Sequence, residues 1–267
     1  MKVQANDISV NYELSGSGKY FTLIHGAGDN LNVWYNQVSS FSKHYRVLTY
    51  DVRGHGKTEL PEGELGIELW VSDLSTLLKT LHIDETVLLG HSLGGAIAVA
   101  FTVAYPERVN ALILSNCGGG APRSKEKMSE RATRLKAQKD ALEKEGIEAF
   151  ANQRITGLFR ADFTERNIDT VSRYKQILLQ TDMRGHVCVI RGMLKPAESS
   201  DLSKITCPTL IIEGQHDSFT NPGTAEAAQR AIEESQLKVF PTGHATALEQ
   251  PEAYNQAILK FLSDAGL

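Results

Sequence analysis

The chain has 267 residues, 41% of them hydrophobic and 22% charged, with 28 Lys+Arg against 32 Asp+Glu for a net charge of −4. Such a chain buries a sizeable core and is not disordered, and with no global basic field it implies neither nucleic acid nor an anionic membrane as partner. Three widely spaced cysteines, Cys117, Cys188 and Cys207, make neither a disulfide framework nor a zinc site, and suit a reducing cytoplasm.

The opening residues Met1 to Asp7 lack an apolar h-region, so no secretory signal is expected, and no apolar run approaches the roughly 18 residues of a membrane span. Val3 to Leu14 alternates through Ile8, Val10, Tyr12 and Leu14, which predicts an antiparallel hairpin at a sheet edge. Short runs that do not alternate follow: Phe21 to Ile24, Val47 to Tyr50, Thr86 to Leu89, Ala111 to Leu114, Thr209 to Ile212 and Leu237 to Phe240. Strands apolar on both faces belong to a parallel sheet covered by helices on either side. Between them, Ile67, Trp70, Val71, Leu74, Leu77, Leu78 and Leu81 paint one helix face, and Ala96 to Phe101 reads as a helix buried nearly all round. The fold class is α/β, a mostly parallel doubly wound sheet.

Residues 122–200 break this rhythm with helical signals and no strand: Lys125 to Lys144, Gly146 to Thr156, Thr164 to Leu179 and Gly185 to Leu194. The stretch is entered through Gly118-Gly119-Gly120-Ala121-Pro122, a hinge by composition. It reads as a helical cap inserted into a core of residues 1–121 and 201–267. The insertion holds 16 Lys+Arg and 11 Asp+Glu, a net of +5, which leaves −9 for the rest. A basic cap over an acidic core favours an anionic substrate, unless these are merely solvated charges on helix surfaces. Arg131, Arg134, Arg154 and Arg160 are the candidates for an anion contact. Phe150, Phe159, Phe163 and Met193 suit either the cap's core or a pocket wall.

Gly90-His91-Ser92-Leu93-Gly94 is a G-x-S-x-G motif set between a buried strand and a helix, the setting of a nucleophile elbow. Its glycines let neighbouring backbone pass a serine held on a sharp turn. A serine hydroxyl needs a base, and the base an orienting acid. Of eight histidines, His244 follows the last strand and reaches the carboxyl edge of the sheet. His44 and His82 sit at the opposite edge, His186 lies in the cap, and His25 and His55 occupy glycine-rich turns that suit a structural imidazole. Asp217 follows the Leu210 to Ile212 strand at the same edge as His244. Asp51, trailed by Val52-Arg53-Gly54-His55-Gly56, suits pinning that turn through hydrogen bonds or an Arg pair, and Asn116 is not an acid. The order Ser92, Asp217, His244 predicts a Ser–Asp–His triad. Backbone N–H groups of Leu93, at a helix N-terminus, and of Ala27, in the small-residue turn His25-Gly26-Ala27-Gly28, are the expected oxyanion donors.

This ordered set, with His25-Gly26, Asp51-x-Arg53-Gly54-His55-Gly56 and Gly243-His244, resembles the α/β-hydrolase fold superfamily over the whole chain. With its cap, the chain is most similar to the branch containing 3-oxoadipate enol-lactonases and small carboxylesterases. That resemblance implies a hydrolase that cleaves a small ester or lactone through an acyl-enzyme on Ser92, with no metal or organic cofactor. Relatives in the branch include C–C bond hydrolases, perhydrolases and hydrolase-fold receptors with slow turnover. The His25-Gly26 turn and the absence of tryptophan from the cap (Trp34 and Trp70 both lie outside it) point towards a general esterase, whereas the basic cap points towards an anionic lactone.

Overall fold

A computed structural model describes residues 1–117, 125–195, 200–220 and 223–267. The glycine-rich run 118–122, read above as a hinge, lies outside the described residues. An eight-stranded sheet forms the centre, in the order β1-β2-β4-β3-β5-β6-β7-β8. The strands are β1 Lys2–Ala5, β2 Ile8–Ser15, β3 Tyr20–Ile24, β4 Arg46–Tyr50, β5 Thr86–His91, β6 Val109–Ser115, β7 Thr209–Gly214 and β8 Ser235–Phe240. β1 pairs antiparallel with β2, and β2 with β4; every later pairing is parallel. The alternating opening segment is thus an edge hairpin, as its pattern predicts.

The central strands show why their apolar runs are unbroken. Leu88 of β5 packs into one core with Leu48, Leu112 and Ile211, while its neighbours Val87 and Leu89 pack into a second core with Phe21, Ile113 and Leu210. Helices α2 (Ile67–Thr80), α3 (Leu93–Ala104) and α8 (Thr224–Ala231) cover the first face; α1 (Tyr35–Phe41), α9 (Thr246–Glu249) and α10 (Pro251–Asp264) cover the second. β8 departs from the expectation of burial on both faces. It is an edge strand, with Phe240 buried but Val239 53% exposed, and the exposed charge of Lys238 discourages pairing with another chain. α3 departs at one residue: Ala96 is exposed to a cavity, whereas Gly94 and Gly95 make the close packing.

Between β6 and β7 lie α4 (Lys125–Leu158), α5 (Ala161–Arg166), α6 (Ile168–Leu178) and α7 (Met183–Leu194). α4 breaks at Gly146, whose φ of 82° only glycine adopts readily, so its two segments match the two helices expected on either side of that residue. The single helix expected over Thr164 to Leu179 is instead α5 and α6. Asn167, at φ −125° and ψ 51°, leaves helical geometry between them. Leu135, Leu142 and Phe150 of α4 pack on Val187 and Ile190 of α7 in a small core of their own.

One polar arrangement ties the turn after β4 to the helix layer. Arg53, buried, pairs with the buried carboxylate of Asp73 on α2 at 2.7 Å and with Asp7 at 2.5 Å. Asp73 lies on the apolar face of α2 because this partner neutralises it, and the Trp70 indole N–H donates to Arg53 O at 3.2 Å. Arg53→Met would strand the Asp73 charge, and should cost roughly 3–5 kcal/mol, read from urea unfolding. A loss under about 1 kcal/mol would show that Asp73 is satisfied without it.

Candidate active site

β5 ends against α3, and Ser92 stands at the junction with φ 54° and ψ −111°, a strained conformation for a residue with a side chain. Two close approaches set it there. A Cβ on Gly90 would lie 2.3 Å from Gly94 O, and one on Gly94 would lie 2.1 Å from Ile24 O at the end of β3. The Ser92 N–H donates to Ser115 O at 3.0 Å, which fastens the turn to β6.

The loops after β7 and β8 bring Asp217 and His244 together. His244 Nδ1 lies 2.8 Å from Asp217 Oδ2, with both side chains almost wholly buried. Asp217 Oδ1 accepts the N–H groups of Phe219 and Thr220 at 2.8 and 3.1 Å. Burial alone would raise the pKa of Asp217, but His244 and these amides outweigh it and hold the carboxyl well below the usual carboxylate range. Burial lowers the His244 pKa, against the attraction of Asp217, and the net direction is downward. With Nδ1 committed to Asp217, Nε2 is the nitrogen free to exchange a proton.

Ser92 and His244 line one cavity of about 120 Å³, together with Ala27, Leu93 and side chains of α4 and α7. Among the described residues no carbonyl accepts the N–H of Leu93 or Ala27, so both amides are available to a ligand oxygen. His25 does not face this chemistry. Its Nε2 accepts the Val52 N–H at 3.0 Å, so Nδ1 carries the proton and donates to Gly26 O at 2.8 Å. His55 donates through Nδ1 to Val52 O. Both are structural imidazoles. Asp51 pins its turn through the N–H groups of Leu31 and Lys57, each at 2.8 Å, and Asn11, with no arginine involved among the described residues. His44 and His82 are exposed and away from the cavity. His186 lines it, but donates through Nε2 to Leu178 O at 3.2 Å, and burial pushes its pKa down to about 4.

Several participants escaped the sequence reading. Asn116, set aside there because it is not an acid, donates from Nδ2 to Asp217 Oδ2 at 3.2 Å and to Gly243 O at 3.3 Å. His91 of the motif donates from Nε2 to His244 O at 3.0 Å, while its Nδ1 lies 3.7 Å from the buried Asp29 carboxylate. Tyr174 of α6 donates to the other Asp29 oxygen at 2.7 Å. Of the four candidate arginines, Arg131, Arg134 and Arg154 line the cavity; Arg160 instead pairs with Asp162 and donates to Pro241 O. Phe150 and Met193 are cavity wall, whereas Phe159 and Phe163 stack on one another in the core. Among the described residues no three His, Cys, Asp or Glu side chains are grouped to hold a metal ion, and no helix is long and apolar enough to cross a membrane.

Residues 21–251 match the family model of the α/β-hydrolase fold, and the chain belongs to that family. 3-Oxoadipate enol-lactonase 2 of Acinetobacter baylyi is 28% identical to it over 256 residues, which are 95% of this chain and 93% of the relative. A 2-hydroxy-6-oxo-2,4-heptadienoate hydrolase of Pseudomonas putida is 27% identical over 283 residues, covering 98% of this chain and 95% of the relative. Among solved structures, a thermophilic esterase of Thermogutta terrifontis with malate bound superposes with a TM-score of 0.88 at 29% identity, over 99% of this chain and 98% of that one.

The electrostatics of His244 are open to direct measurement. Its imidazole should lose its proton below the ordinary value of about 6.5, because burial penalises the charged form more than Asp217 favours it. An NMR titration with a midpoint at or above 6.5 would contradict this balance.

Proposed function

We propose that the chain is a serine hydrolase that cleaves a small ester or lactone through an acyl-enzyme, with Ser92, Asp217 and His244 as its triad. The observation that carries the reading is the buried Asp217–His244 pair opening on the same cavity as a serine held at a strained strand-to-helix turn. Ser92 Oγ attacks the carbonyl carbon as His244 Nε2 takes its proton, and Asp217 orients the ring and stabilises the imidazolium. The Leu93 and Ala27 N–H groups receive the oxyanion, Leu93 with the help of the α3 dipole. Collapse expels the alcohol, protonated by His244. Water, deprotonated by the same nitrogen, then releases the acid and restores Ser92. In a lactone the alcohol remains tethered until that last step.

In this reading residues 122–200 are a cap over a core of 1–121 and 201–267, and its helices α4 and α7 close the cavity above Ser92. Similarity to the enol-lactonase and the esterase supports ester or lactone cleavage. A second reading, hydrolysis of a C–C bond on the same triad, draws on the similarity to the Pseudomonas putida hydrolase. A panel of simple esters, enol-lactones and vinylogous 1,5-diketones separates the two by relative kcat/KM.

Ser92→Ala should lower turnover of p-nitrophenyl acetate by at least about 10⁴-fold, with circular dichroism and Tm unchanged. Mass spectrometry of the parent quenched during turnover should find one acyl group on the peptide holding Ser92. Hydrolysis that survives the substitution removes Ser92 as nucleophile. With kcat/KM followed against pH, activity should rise through a midpoint below about 6.5, since His244 must be neutral to act as base. A midpoint near 8 would assign the base elsewhere.

A further inference from the structure

The cavity wall carries three guanidinium groups, and among the described residues no Asp or Glu lines it. Arg131 donates to Met193 O, and Arg134 to Ser218 O and Phe219 O. Arg154 is placed differently. It is buried, 8% exposed, yet among the described residues no carboxylate forms an ion pair with it. Asp29 attracts it across a gap without bonding to it, and Tyr174 stands between them, donating to Asp29 at 2.7 Å and lying 3.4 Å from Arg154 Nε. Burial works against its charge, but Tyr174 and Asp29 outweigh that and the Phe219 ring lies 5.7 Å away, so the guanidinium stays charged with no carboxylate bonded to it.

The donors of Arg154 divide in a telling way. Nη2 donates to Ala27 O at 2.5 Å, and Nε faces the Tyr174 hydroxyl. Nη1 has no acceptor among the described residues and is not sealed from the cavity. A guanidinium is always charged and its N–H groups form a rigid planar fork, so a group bound at Nη1 is held in fixed relation to whatever Nη2 holds. Here Nη2 holds the turn that carries the Ala27 amide.

We propose that Arg154 anchors a carboxylate borne by the substrate and, through its bond to Ala27 O, ties that anion to the turn that receives the oxyanion. This rests on the hydrolase reading above and adds to it a substrate class: esters or lactones that carry a free carboxylate at a set distance from the scissile carbonyl. Because one rigid group touches both the anion and the oxyanion turn, the substrate's charge acts on kcat as well as on KM. A remote anion site would act on KM alone.

The test compares two pairs of near-isosteric esters by pH-stat at fixed ionic strength: monomethyl succinate against methyl 4-methylpentanoate, and acetoxyacetate against isobutyl acetate. The first pair carries the charge on the acyl side and the second on the alcohol side. In at least one pair the parent should favour the anion by about 10- to 100-fold in kcat/KM, the range of a hydrogen bond to a charged group, with part of the gain in kcat. Arg154→Gln should bring that preference close to one. Arg154→Lys, which keeps the charge but not the fork, should recover KM for the anion and not kcat. If Arg154→Gln does not fold, Arg131→Gln and Arg134→Gln decide the matter: each should retain the preference, and loss in either moves the anchor there and overturns the assignment. A parent that hydrolyses these esters without regard to charge overturns this inference and leaves the hydrolase reading intact. A parent that hydrolyses none of them, nor p-nitrophenyl acetate, overturns the hydrolase reading itself.

Discussion

The carbonyl oxygens of Ile24 and His25 occupy the space where Gly94 would carry a side chain, 2.1 and 2.6 Å from an ideal Cβ. That contact presses the first turn of α3 onto the end of β3. It sets Leu93 and the turn bearing Ala27 on the cavity that Ser92 lines, beside a serine held at φ 54°. Either amide alone would be an ordinary loop donor. Their joint use in the proposed mechanism depends on the closeness of helix and strand, and the glycine spacing of the motif is the chemical condition for that closeness.

Around this contact the loops are held by buried polar groups that each serve two partners. Asn116 binds both the Asp217 carboxylate and the Gly243 carbonyl, joining the loops after β6, β7 and β8. His91 reaches from the elbow to the His244 carbonyl. Asp29 stands beside His91 and accepts from Tyr174, so the turn after β3 feels both the sheet and the inserted helices. Removing one partner from such a network leaves another buried group unsatisfied, which is why each linkage resists change beyond its own strength.

The parts of the molecule legible in sequence are those governed by local constraint. Unbroken apolar runs follow from burial on both faces, as Leu88 and Leu89 show by packing into opposite cores. The elbow is legible because only small residues permit its turn, and Asp217 and His244 because each follows a strand at the same sheet edge. What stayed hidden depends on tertiary closure. The bond from Arg154 to Ala27 O spans 127 residues, and that from Asn116 to Asp217 spans 101. Asn116 is not an acid, and nothing local marks it as a partner of Asp217. β8 was read as interior because its apolar residues resemble those of its neighbours, yet position at an edge belongs to topology and not to composition.

In the proposed mechanism, the helices between β6 and β7 also order events in time. A growing chain completes the strand and helix around Ser92 long before the segment carrying His244 exists, since the bond from the His91 side chain to His244 O spans 153 residues. Contacts of such separation are slow to form. On the proposed mechanism, an incomplete chain holds its nucleophile with no base and is chemically idle. On the same mechanism hydrolytic competence arrives with the last strands of the sheet, and its recovery on refolding reports the closing of the whole domain more sharply than any helix signal does.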